Sequence, residues 1–338
     1  VLFPAYKEDK VIIPAIYSFL QQDYPRELYD IIVISDQMQE STNEALRQLP
    51  VRLLIADYTD SSKAKAMSLA MNATADIPYD AVVIMDADNT AGTSFLSELN
   101  PVFQSGARAV QAHRTAKNTN TDIAVLDAAS EEINNSIFRS GHIALGLSSA
   151  LIGSGMALEA CWFRQHIHLL ETAGEDKEME ALLLKQRIHI EYLEHVYVKD
   201  EKTQKKEGIK NQRKRWIAAQ FDSLVRTLPD FPKELLRGNI DYCDKVFQWT
   251  LLPRIILIFC TFFFTILVTL VSPYSSIKWW ILAFALFLAL FTAIPGHLLN
   301  KQLLRAIFQL PSLLLGIASN LFKLKGVNKK FIHTEHGN

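Results

Sequence analysis

The 338-residue sequence lacks the marks of several protein classes. Its three cysteines, Cys161, Cys243 and Cys260, are far apart and have no accompanying histidine pattern, so neither a disulfide framework nor a zinc site follows. His166 and His168 lie two apart in a predicted helix and face different sides, which argues against a shared metal. No Gly-x-Gly-x-x-Gly motif follows the first apolar run, so dinucleotide binding has no support.

The sequence also has almost no net charge. Its formal charge is −1 at pH 7 and its pI is about 6.8, a balance that argues against a nucleic-acid partner. The basic stretch at residues 202–215 is local and is typical of a solvated loop near phosphates or anionic lipid. The first residue is Val1 and no signal peptide precedes the first apolar run, so we expect a sequence trimmed at its N-terminus.

Apolar residues, in contrast, are plentiful. They make up 49% of the chain, enough for the core of one large domain with a surplus near the C-terminus. Residues 251–271 contain one charge, Arg254, and residues 279–294 contain none, and each run approaches the ~20 apolar residues that cross a bilayer. We predict two transmembrane helices joined by residues 272–278. Two buried core helices are the alternative, although such long uncharged runs are rare in soluble domains.

The charges around this hairpin predict its orientation. Residues 199–215 before it and residues 301–330 after it are rich in Lys and Arg, so the positive-inside rule places both in the cytoplasm. Residues 303–322 are apolar but interrupted by polar residues and Pro311, and a span there would translocate the basic residues that follow. An interfacial or re-entrant helix is therefore favoured over a third span.

The first ~110 residues alternate between strand-like and helical patterns, which predicts a Rossmann-like α/β domain with a parallel sheet. The predicted strands are residues 31–34, 51–55, 81–85 and 109–112, and the predicted helices are residues 10–22, 42–48 and 62–75. Further helices are predicted at residues 159–170 and 177–186, whereas residues 121–152 carry few chemical signals and are predicted to form an acceptor-side wall. Ligands of such sheets bind beyond the carboxyl ends of the strands.

The most informative motif is Asp86-Ala87-Asp88, which follows the apolar run at residues 81–85. Two acids at this spacing point to one side of a strand exit, where their oxygens can hold Mg²⁺ or Mn²⁺ against a diphosphate. Alone the pattern could arise by chance, as surface acids that cap a strand. Glu175-Asp176 and then Gln-Arg-Lys-Arg-Trp at residues 212–216 follow in order. Together the three motifs argue against a chance match.

With these motifs the chain resembles the membrane-associated family-2 glycosyltransferases, which include cellulose, chitin and hyaluronan synthases. Two departures from the family pattern are a single acid, Asp36, after Ser35, and Ala173-Gly174 where many relatives have a Thr before the Glu-Asp pair. Further landmarks in family order are Phe-Pro-Ala-Tyr-Lys-Glu at residues 3–8, Gln-Asp-Tyr-Pro at 22–25, Lys-Ala-Lys-Ala-Met at 63–67 and Gly-Ser-Gly-Met at 153–156.

The resemblance implies a domain organisation and a location. A GT-A nucleotide-sugar-binding domain is expected at residues 1–235 and an interfacial connector at 236–250. The transmembrane hairpin then occupies 251–298, and an interfacial or re-entrant helix with a basic tail occupies 299–338. A multi-pass protein of the bacterial inner membrane with its catalytic domain in the cytoplasm is expected, with the bilayer and other subunits of a polysaccharide complex as partners.

The resemblance also assigns roles to residues. Asp88 binds Mg²⁺ or Mn²⁺ with Asp86 beside it, Asp176 is the general base, and Glu175 raises the pKa of that base by like-charge repulsion. Three of the segments that carry these roles have an alternative explanation. Gly153 to Gly155 could form a simple turn, Asp176 could cap a helix, and residues 213–215 could be a membrane-surface patch. The donor contacts are Pro4, Ala5, Tyr6, Asp36, Lys63, Asp86, Gln212 and Arg215, and the acceptor contacts are Trp216, Gly153, Ser154 and Gly155.

The expected reaction follows from one base and no enzyme nucleophile, since direct displacement inverts the sugar carbon. A nucleotide diphosphate sugar, expected to be UDP-linked, would glycosylate a saccharide acceptor through a β-glycosidic bond, in the synthesis of a cell-surface or extracellular polysaccharide. Single transfer to a lipid-linked acceptor is the alternative. A non-catalytic nucleotide-sugar-binding subunit of an export complex is a second one. A sugar-1-phosphate nucleotidyltransferase would not explain residues 212–216.

Overall fold

The computed structural model describes residues 1–204, 206–311, 314 and 316. Eight strands form one mixed sheet. They are β1 (Leu2–Tyr6), β2 (Ile32–Asp36), β3 (Arg52–Ala56), β4 (Ala81–Ile84), β5 (Thr90–Ala91), β6 (Ala109–Ala116), β7 (Met156–Glu159) and β8 (Ile190–Asp200). Their order across the sheet is β3-β2-β1-β4-β7-β6-β8-β5.

Helices cover both faces of the sheet and continue beyond it. The first eight are α1 (Ile12–Leu20), α2 (Glu40–Arg47), α3 (Lys63–Ala73), α4 (Phe95–Gln104), α5 (Asp122–Asn135), α6 (Gly141–Ala144), α7 (Ala160–His166) and α8 (Glu175–Lys185). They are followed by α9 (Lys206–Thr227), α10 (Phe231–Leu236), α11 (Ile240–Thr250), α12 (Arg254–Val271), α13 (Pro273–Thr292) and α14 (Lys301–Ile307). A π-helix, Ser136–Ser140, continues α5 into α6.

The N-terminal half of the sheet is parallel, as its alternating pattern predicts. β1 pairs in parallel with β2 and with β4, and Tyr6 lies opposite Asp36 at the shared carboxyl ends. Two apolar cores sandwich these strands, one that includes α3 and α8 and one that includes α1 and α4. Because the strands run the same way, their exits lie at one edge, and the residues after β1, β2 and β4 share a crevice.

The other half of the sheet, which the first 110 residues do not predict, also contains antiparallel pairs. β7 lies between β4 and β6 and is antiparallel to both. The helix predicted at residues 159–170 is also shorter, because Met156 to Glu159 form β7 and α7 then covers Ala160–His166. The four residues of β7 are too few for a two-residue period to be recognised in the sequence.

The catalytic domain extends further along the chain than residue 235. In the predicted connector at 236–250, α11 contributes Tyr242 and Val246, each 2% exposed, to the main core. The Tyr242 hydroxyl donates a hydrogen bond to the backbone oxygen of Thr227 at the end of α9. α11, within the predicted connector, therefore packs into the core of the α/β domain.

Two apolar helices follow, and both are long enough to cross a membrane. Only 11% of the most apolar window of each is buried, unlike a core helix of a soluble protein. The connection predicted at residues 272–278 is wrong: α13 begins at Pro273, and Ser272 alone separates it from α12. The Ser272 side chain accepts a hydrogen bond from the Ser275 backbone, and proline suits a first helical position, so these residues start a helix.

α14 returns from the hairpin to the catalytic domain. Leu298 and Leu303 pack against Val125, Ala128 and Ala129 of α5. The Gln302 side chain donates a hydrogen bond to the Thr119 backbone oxygen at 3.2 Å. Nine of the twenty residues of the interfacial helix predicted at 303–322, and the basic tail after it, lie outside the described residues.

Candidate active site

One cavity of about 1870 Å³ collects the predicted site residues at the carboxyl edge of the sheet. The exits of β1 and β2 turn sharply there, because Lys7 and Gln37 adopt left-handed φ values of 57° and 55°. Such backbone is costly for non-glycine residues and is often found at functional sites. Predicted donor residues that line this cavity are Pro4, Ala5, Tyr6, Asp36, Lys63, Asp86, Gln212 and Arg215.

Asp36, at the end of β2, is 3% exposed, and its Oδ1 atom has no hydrogen-bond partner within the protein. Burial raises the pKa of this carboxyl above its usual range, although Ser61 hydrogen-bonds to it and opposes the shift. A buried carboxylate oxygen without a donor is costly, so it is suited to accept a hydrogen bond from a ligand.

Lys63 connects the Asp86 motif to the Glu175 motif. The Ser62 side chain caps α3, which places Lys63 in its first turn facing the crevice. The Lys63 ammonium pairs closely with Asp86, donates to the Gly153 backbone oxygen at 2.7 Å and lies 3.7 Å from Glu175. Burial disfavours its charge, but Asp86 and Glu175 outweigh burial and raise the pKa of Lys63.

Asp86 and Asp88 have different surroundings. Burial opposes ionisation of Asp86, yet Lys63 and Arg114 lower its pKa below the usual value. Asp88 is 3% exposed and accepts a hydrogen bond from the Glu201 backbone at 2.9 Å. Asp88 is thereby held against the segment that follows β8, while Asp86 faces Lys63.

The Glu175-Asp176 pair begins α8. Gly174 is the N-cap residue, so Asp176 is not the cap itself, although its side chain accepts a hydrogen bond from the Lys177 backbone at 2.9 Å. Glu175 is 8% exposed, and burial together with repulsion from Asp176 raises the pKa of Glu175 to about 7, against the attraction of Lys63.

The predicted acceptor residues in the loop before β7 differ in whether they line the cavity. Gly153 has φ +85° and lies beside Glu175, Asp176 and Lys63 in the cavity wall. Ser154 is fully buried behind it, 3.3 Å from Arg114, and a side chain at Gly155 would come within 3.0 Å of Val198. Only Gly153 of the three lines the cavity, and the positive φ values at Gly153 and Gly155 require glycine for the turn.

α9 places the third motif over the same cavity. Burial lowers the pKa of Arg215 below its usual value, although the negative charges of Glu175 and Asp86 oppose this shift. The Gln212 Oε1 atom is buried without a hydrogen-bond partner. The Trp216 ring lies 4.7 Å from the Arg213 guanidinium, and both line the cavity. Arg213 pairs with Asp127 of α5 at 2.9 Å.

The family match agrees with this arrangement of residues. Residues 1–219 match the family described as "Glycosyltransferase like family 2". The chain belongs to the family-2 glycosyltransferases. No curated protein sequence matches it.

Comparison with solved structures shows that this chain has a GT-A fold. The mannosyltransferase PcManGT from Pyrobaculum calidifontis, in complex with GDP-Man and Mn²⁺, is 17% identical, with a TM-score of 0.51 over 86% of this chain and 85% of that one. TarS 1-349 of S. aureus, in complex with UDP, is 12% identical, with a TM-score of 0.45 over 67% of this chain and 64% of that one. The glycosyltransferase thus spans less than two thirds of TarS 1-349 in this match.

The glycosyltransferase fits a divalent cation beside Asp88. Burial and repulsion from Asp88, Asp86 and Glu201 raise the pKa of Glu8 to about 9. Such a concentration of acids around one point favours a cation there. Among the described residues no three His, Cys, Asp or Glu side chains are arranged to hold a metal, so an ion would need oxygens from the substrate as well.

Sequence reasoning missed a buried ionic network in the glycosyltransferase. Arg114 donates to Glu131 at 2.8 Å, and Lys202 bonds to Asp200 at 2.7 Å and also to Glu131. The two cations lower the pKa of Glu131 to about 2 despite its burial. Arg114 also lies 3.9 Å from Asp86, so the network contacts the Asp86-Ala87-Asp88 motif. The only signal in the sequence was a charged run at residues 199–202, which is usually a solvated surface.

Proposed function

We propose that this glycosyltransferase inverts the sugar carbon of a nucleotide diphosphate sugar with the help of Mg²⁺ or Mn²⁺, and that UDP is its nucleotide. The observation that carries the proposal is the ionic chain from Asp86 through Lys63 to Glu175, which joins the donor motif and the base motif in one cavity. The cavity also receives Arg215 from α9. Three distant motifs thus meet where a donor and an acceptor could react.

The donor would lie along the exits of β1 and β2. Pro4, Ala5 and Tyr6 would flank the nucleotide, and the unsatisfied Asp36 oxygen would accept a hydrogen bond from it. Arg215 and Gln212 would hold the diphosphate from α9, since a guanidinium suits phosphate oxygens and the free Gln212 oxygen can accept from a hydroxyl. PcManGT, which shares the fold, was solved with GDP-Man and Mn²⁺, a donor of the same class.

A divalent cation held by Asp88, with Asp86 beside it, would neutralise the charge that develops on the leaving diphosphate. Asp176 would remove the proton from the acceptor hydroxyl, because it lines the cavity next to Gly153. Glu175 would hold Lys63 and support Asp176 by its negative charge when ionised. Direct displacement with one base inverts the sugar carbon, so an α-linked donor would give a β-linked product.

The acceptor would approach from the α9 side, with Trp216 and Gly153 as its contacts. A saccharide that is extended into a cell-surface polysaccharide remains the proposed acceptor class, because an aromatic ring suits a sugar face. Ser154 and Gly155 would act through the shape of the turn, since neither lines the cavity. The apolar far end of the cavity favours an acceptor that carries a lipid, which is the second candidate.

We propose further that α12 and α13 cross the bacterial inner membrane, with the catalytic domain in the cytoplasm. Their exposed apolar surfaces and the basic flanks support this topology. Other subunits of a polysaccharide synthesis or export complex would be partners in the bilayer.

The test is a donor screen with the full chain purified in detergent. Nucleotide release from UDP- and GDP-linked sugars is measured with Mn²⁺, with Mg²⁺ and with EDTA. We expect metal-dependent release from one donor class and a β-linked product from an α-linked donor. A folded chain that releases nucleotide from no donor would overturn the proposed function, and a retained α-configuration would overturn inversion.

A further inference from the structure

The residue that follows the Asp86-Ala87-Asp88 motif is a fully buried asparagine. Asn89 stands between the turn that leaves β4 and the start of β5, and its exposed fraction is 0%. It is not among the described residues that line the catalytic cavity. A buried amide needs partners for its oxygen and for its N–H groups, so its hydrogen bonds show what it supports.

Asn89 holds the backbone of Asp86 through two hydrogen bonds. The Asn89 backbone N–H donates to the Asp86 backbone oxygen at 3.0 Å and closes the turn. The Asn89 side-chain oxygen accepts from the Asp86 backbone N–H at 3.1 Å. Both backbone polar groups of Asp86 are therefore tied to Asn89, which fixes the path of the chain through the motif.

The amide nitrogen of Asn89 faces two carboxylates. Its Nδ2 atom donates to Asp88 Oδ1 at 3.3 Å and to Asp200 Oδ1 at 3.2 Å. The amide cannot be turned around, because its oxygen would then face two negatively charged oxygens. The other Asp88 oxygen accepts from the Glu201 backbone N–H at 2.9 Å. Each Asp88 oxygen thus accepts from a fixed donor, and a carboxylate oxygen keeps a further lone pair for a cation.

Asp200 is itself held in place. β5 begins one residue after Asn89 and pairs in antiparallel with the end of β8, which brings Asn89 to Asp200. The Lys202 ammonium donates to the other Asp200 oxygen at 2.7 Å, and Arg114 lies 3.8 Å from that oxygen. The buried ionic network that contains Arg114 and Lys202 thus reaches Asp88 through Asn89.

We propose that Asn89 is a positioning residue for the cation: oriented by Asp200, it fixes Asp88 and the turn at Asp86 in the arrangement that binds Mg²⁺ or Mn²⁺. The proposal rests on the proposed metal-dependent glycosyl transfer and adds a residue that acts through Asp88. A ligand that is already held in its binding geometry loses less freedom when the cation binds. Asn89 would therefore raise the affinity for the cation without contacting it.

Cation selectivity distinguishes positioning from general support of the fold. Mg²⁺ demands near-ideal octahedral geometry, whereas Ca²⁺ accepts irregular and variable coordination. A loosened Asp88 should therefore impair binding of Mg²⁺ more than binding of Ca²⁺. Loss of the Asp88 carboxylate itself should impair both.

The test uses Asn89→Leu, which is similar in size and removes both the donor and the acceptor. Isothermal titration of the full chain in detergent measures UDP affinity with Mg²⁺, with Ca²⁺ and with EDTA. We expect UDP affinity with Mg²⁺ to fall by about tenfold or more, a smaller fall with Ca²⁺ and no change with EDTA. Equal losses with the two cations, or no loss with Mg²⁺, would overturn the proposal.

A double-mutant cycle tests whether Asn89 acts through Asp88. In an Asp88→Asn background, Asn89→Leu should lower Mn²⁺-dependent UDP affinity by less than about twofold, because the positioned carboxylate is already lost. A loss as large as in the wild-type background would show that the two residues act independently and would contradict the positioning role.

Two further variants keep the result interpretable if Asn89→Leu folds poorly. Asn89→Ser retains a hydroxyl that can accept from the Asp86 backbone, as serine does in turns, but is too short to reach Asp200, so it should show the same dependence on the cation. Asn239→Leu is the matched control, since Asn239 is 5% exposed, caps α11 and donates to the Leu184 backbone oxygen. It should lower the melting temperature and leave UDP affinity with Mg²⁺ unchanged.

Failure of the proposed function can be distinguished from failure of the positioning role. UDP binding is measured without acceptor and without turnover. Metal-dependent UDP binding that Asn89→Leu does not alter contradicts the positioning role alone. The expected effect of Asn89→Leu in a chain that transfers no sugar contradicts the glycosyl transfer alone, and equal wild-type UDP affinity with Mg²⁺ and with EDTA contradicts both the proposed metal dependence and this proposal.

Discussion

Single residues at this site are held in electrostatic environments that stability alone would not select. Asp36 keeps an unsatisfied oxygen, Glu8 has a strongly raised pKa, and Glu175 is buried next to another acid. Each arrangement costs folding free energy, and each would be relieved by a bound cation or a bound nucleotide sugar. Perturbed groups of this kind are typical of ligand-binding and catalytic sites.

Asp88→Asn should abolish metal-dependent donor binding while leaving the fold intact. The change is nearly isosteric, and the new side-chain oxygen can still accept the hydrogen bond from the Glu201 backbone. Isothermal titration with UDP and Mn²⁺ should show affinity lowered by about tenfold or more. The exposed Asp76→Asn is the control with the same charge change. Wild-type affinity in Asp88→Asn would refute the metal assignment.

Asp176→Asn should separate chemistry from binding. Loss of a general base lowers kcat by ~10²-fold or more but leaves the ground-state donor complex largely unchanged. Single-turnover rates and UDP titration on the same preparation measure the two effects. Substantial residual turnover would instead assign Asp176 to stabilisation of the first turn of α8, where its side chain bonds to the Lys177 backbone.

Glu175→Gln should change the pH dependence of stability. The carboxyl has a pKa of about 7 in the folded chain against an ordinary value of 4.5, so the folded state holds its proton more tightly. Ionisation therefore lowers wild-type stability as pH rises from about 4.5 to about 7. Glutamine removes this penalty, so the melting temperature of Glu175→Gln relative to the wild type should rise across that window.

At the two ends of that window the expectations differ. Below it both states of the wild type are protonated and the variant has no electrostatic advantage. Above it the full advantage is about 3 kcal/mol. Activity should fall despite the added stability, because Lys63 loses its charged neighbour. A difference in melting temperature that is constant with pH would contradict the raised pKa.

At the scale of elements, the site depends on how closely α9 approaches α8. A Cβ atom at Gly174 would lie 2.7 Å from the Ala219 Cβ atom, so only glycine permits this approach. Gly174 belongs to the Ala173-Gly174 pair that stands where many relatives have a Thr, and the contact with Ala219 gives a reason for glycine at this position. The close packing brings Arg215 and Trp216 over the Glu175-Asp176 pair.

Gly174→Ala should push α9 away from α8, lowering stability by about 1–3 kcal/mol and reducing donor affinity through Arg215. The double variant Gly174→Ala/Ala219→Gly should restore both, because it moves the methyl group from one helix to the other. Gly92→Ala, which has open space around the added Cβ atom, is the control. Thermal unfolding and UDP titration measure the two effects, and a double variant as impaired as the single one would contradict the packing explanation.

Elements were predictable where a long period or a capping residue marks them. The parallel strands β1 to β4 and helices α1 to α3 follow the alternating pattern to within two residues or so. β7 was not predicted from the sequence because it is four residues long and leads directly into α7. The motifs at Asp86 and Glu175 were predictable as chemistry, but their connection through Lys63 depends on tertiary packing. The Arg114 network could not be read from the sequence, since its members are far apart in the chain.

At the scale of the whole molecule, the hairpin and the catalytic domain share one cavity. α5 contacts α14 through an apolar cluster and reaches Arg213 and Arg254 through its polar face. The two apolar helices are therefore joined to the wall of the active-site cavity, not only tethered after it. This arrangement suits an acceptor that arrives within the bilayer, and it requires a defined side for each end of the hairpin.

Ser275, at the start of α13, should face the exterior, and the catalytic domain should face the cytoplasm. Positive charge is concentrated on the catalytic side of the hairpin, with Lys278 alone near its other end, and cytoplasmic loops retain Lys and Arg. A membrane-impermeant maleimide applied to intact cells should therefore label Ser275→Cys in a background that carries Cys161→Ser. The wild-type chain, with its exposed Cys161 on α7, serves as a separate reference, since Cys161 should be labelled only after the membrane is permeabilised. Labelling of Cys161 from outside would invert the topology, and protection of both positions would mean that α12 and α13 lie on the membrane without crossing it.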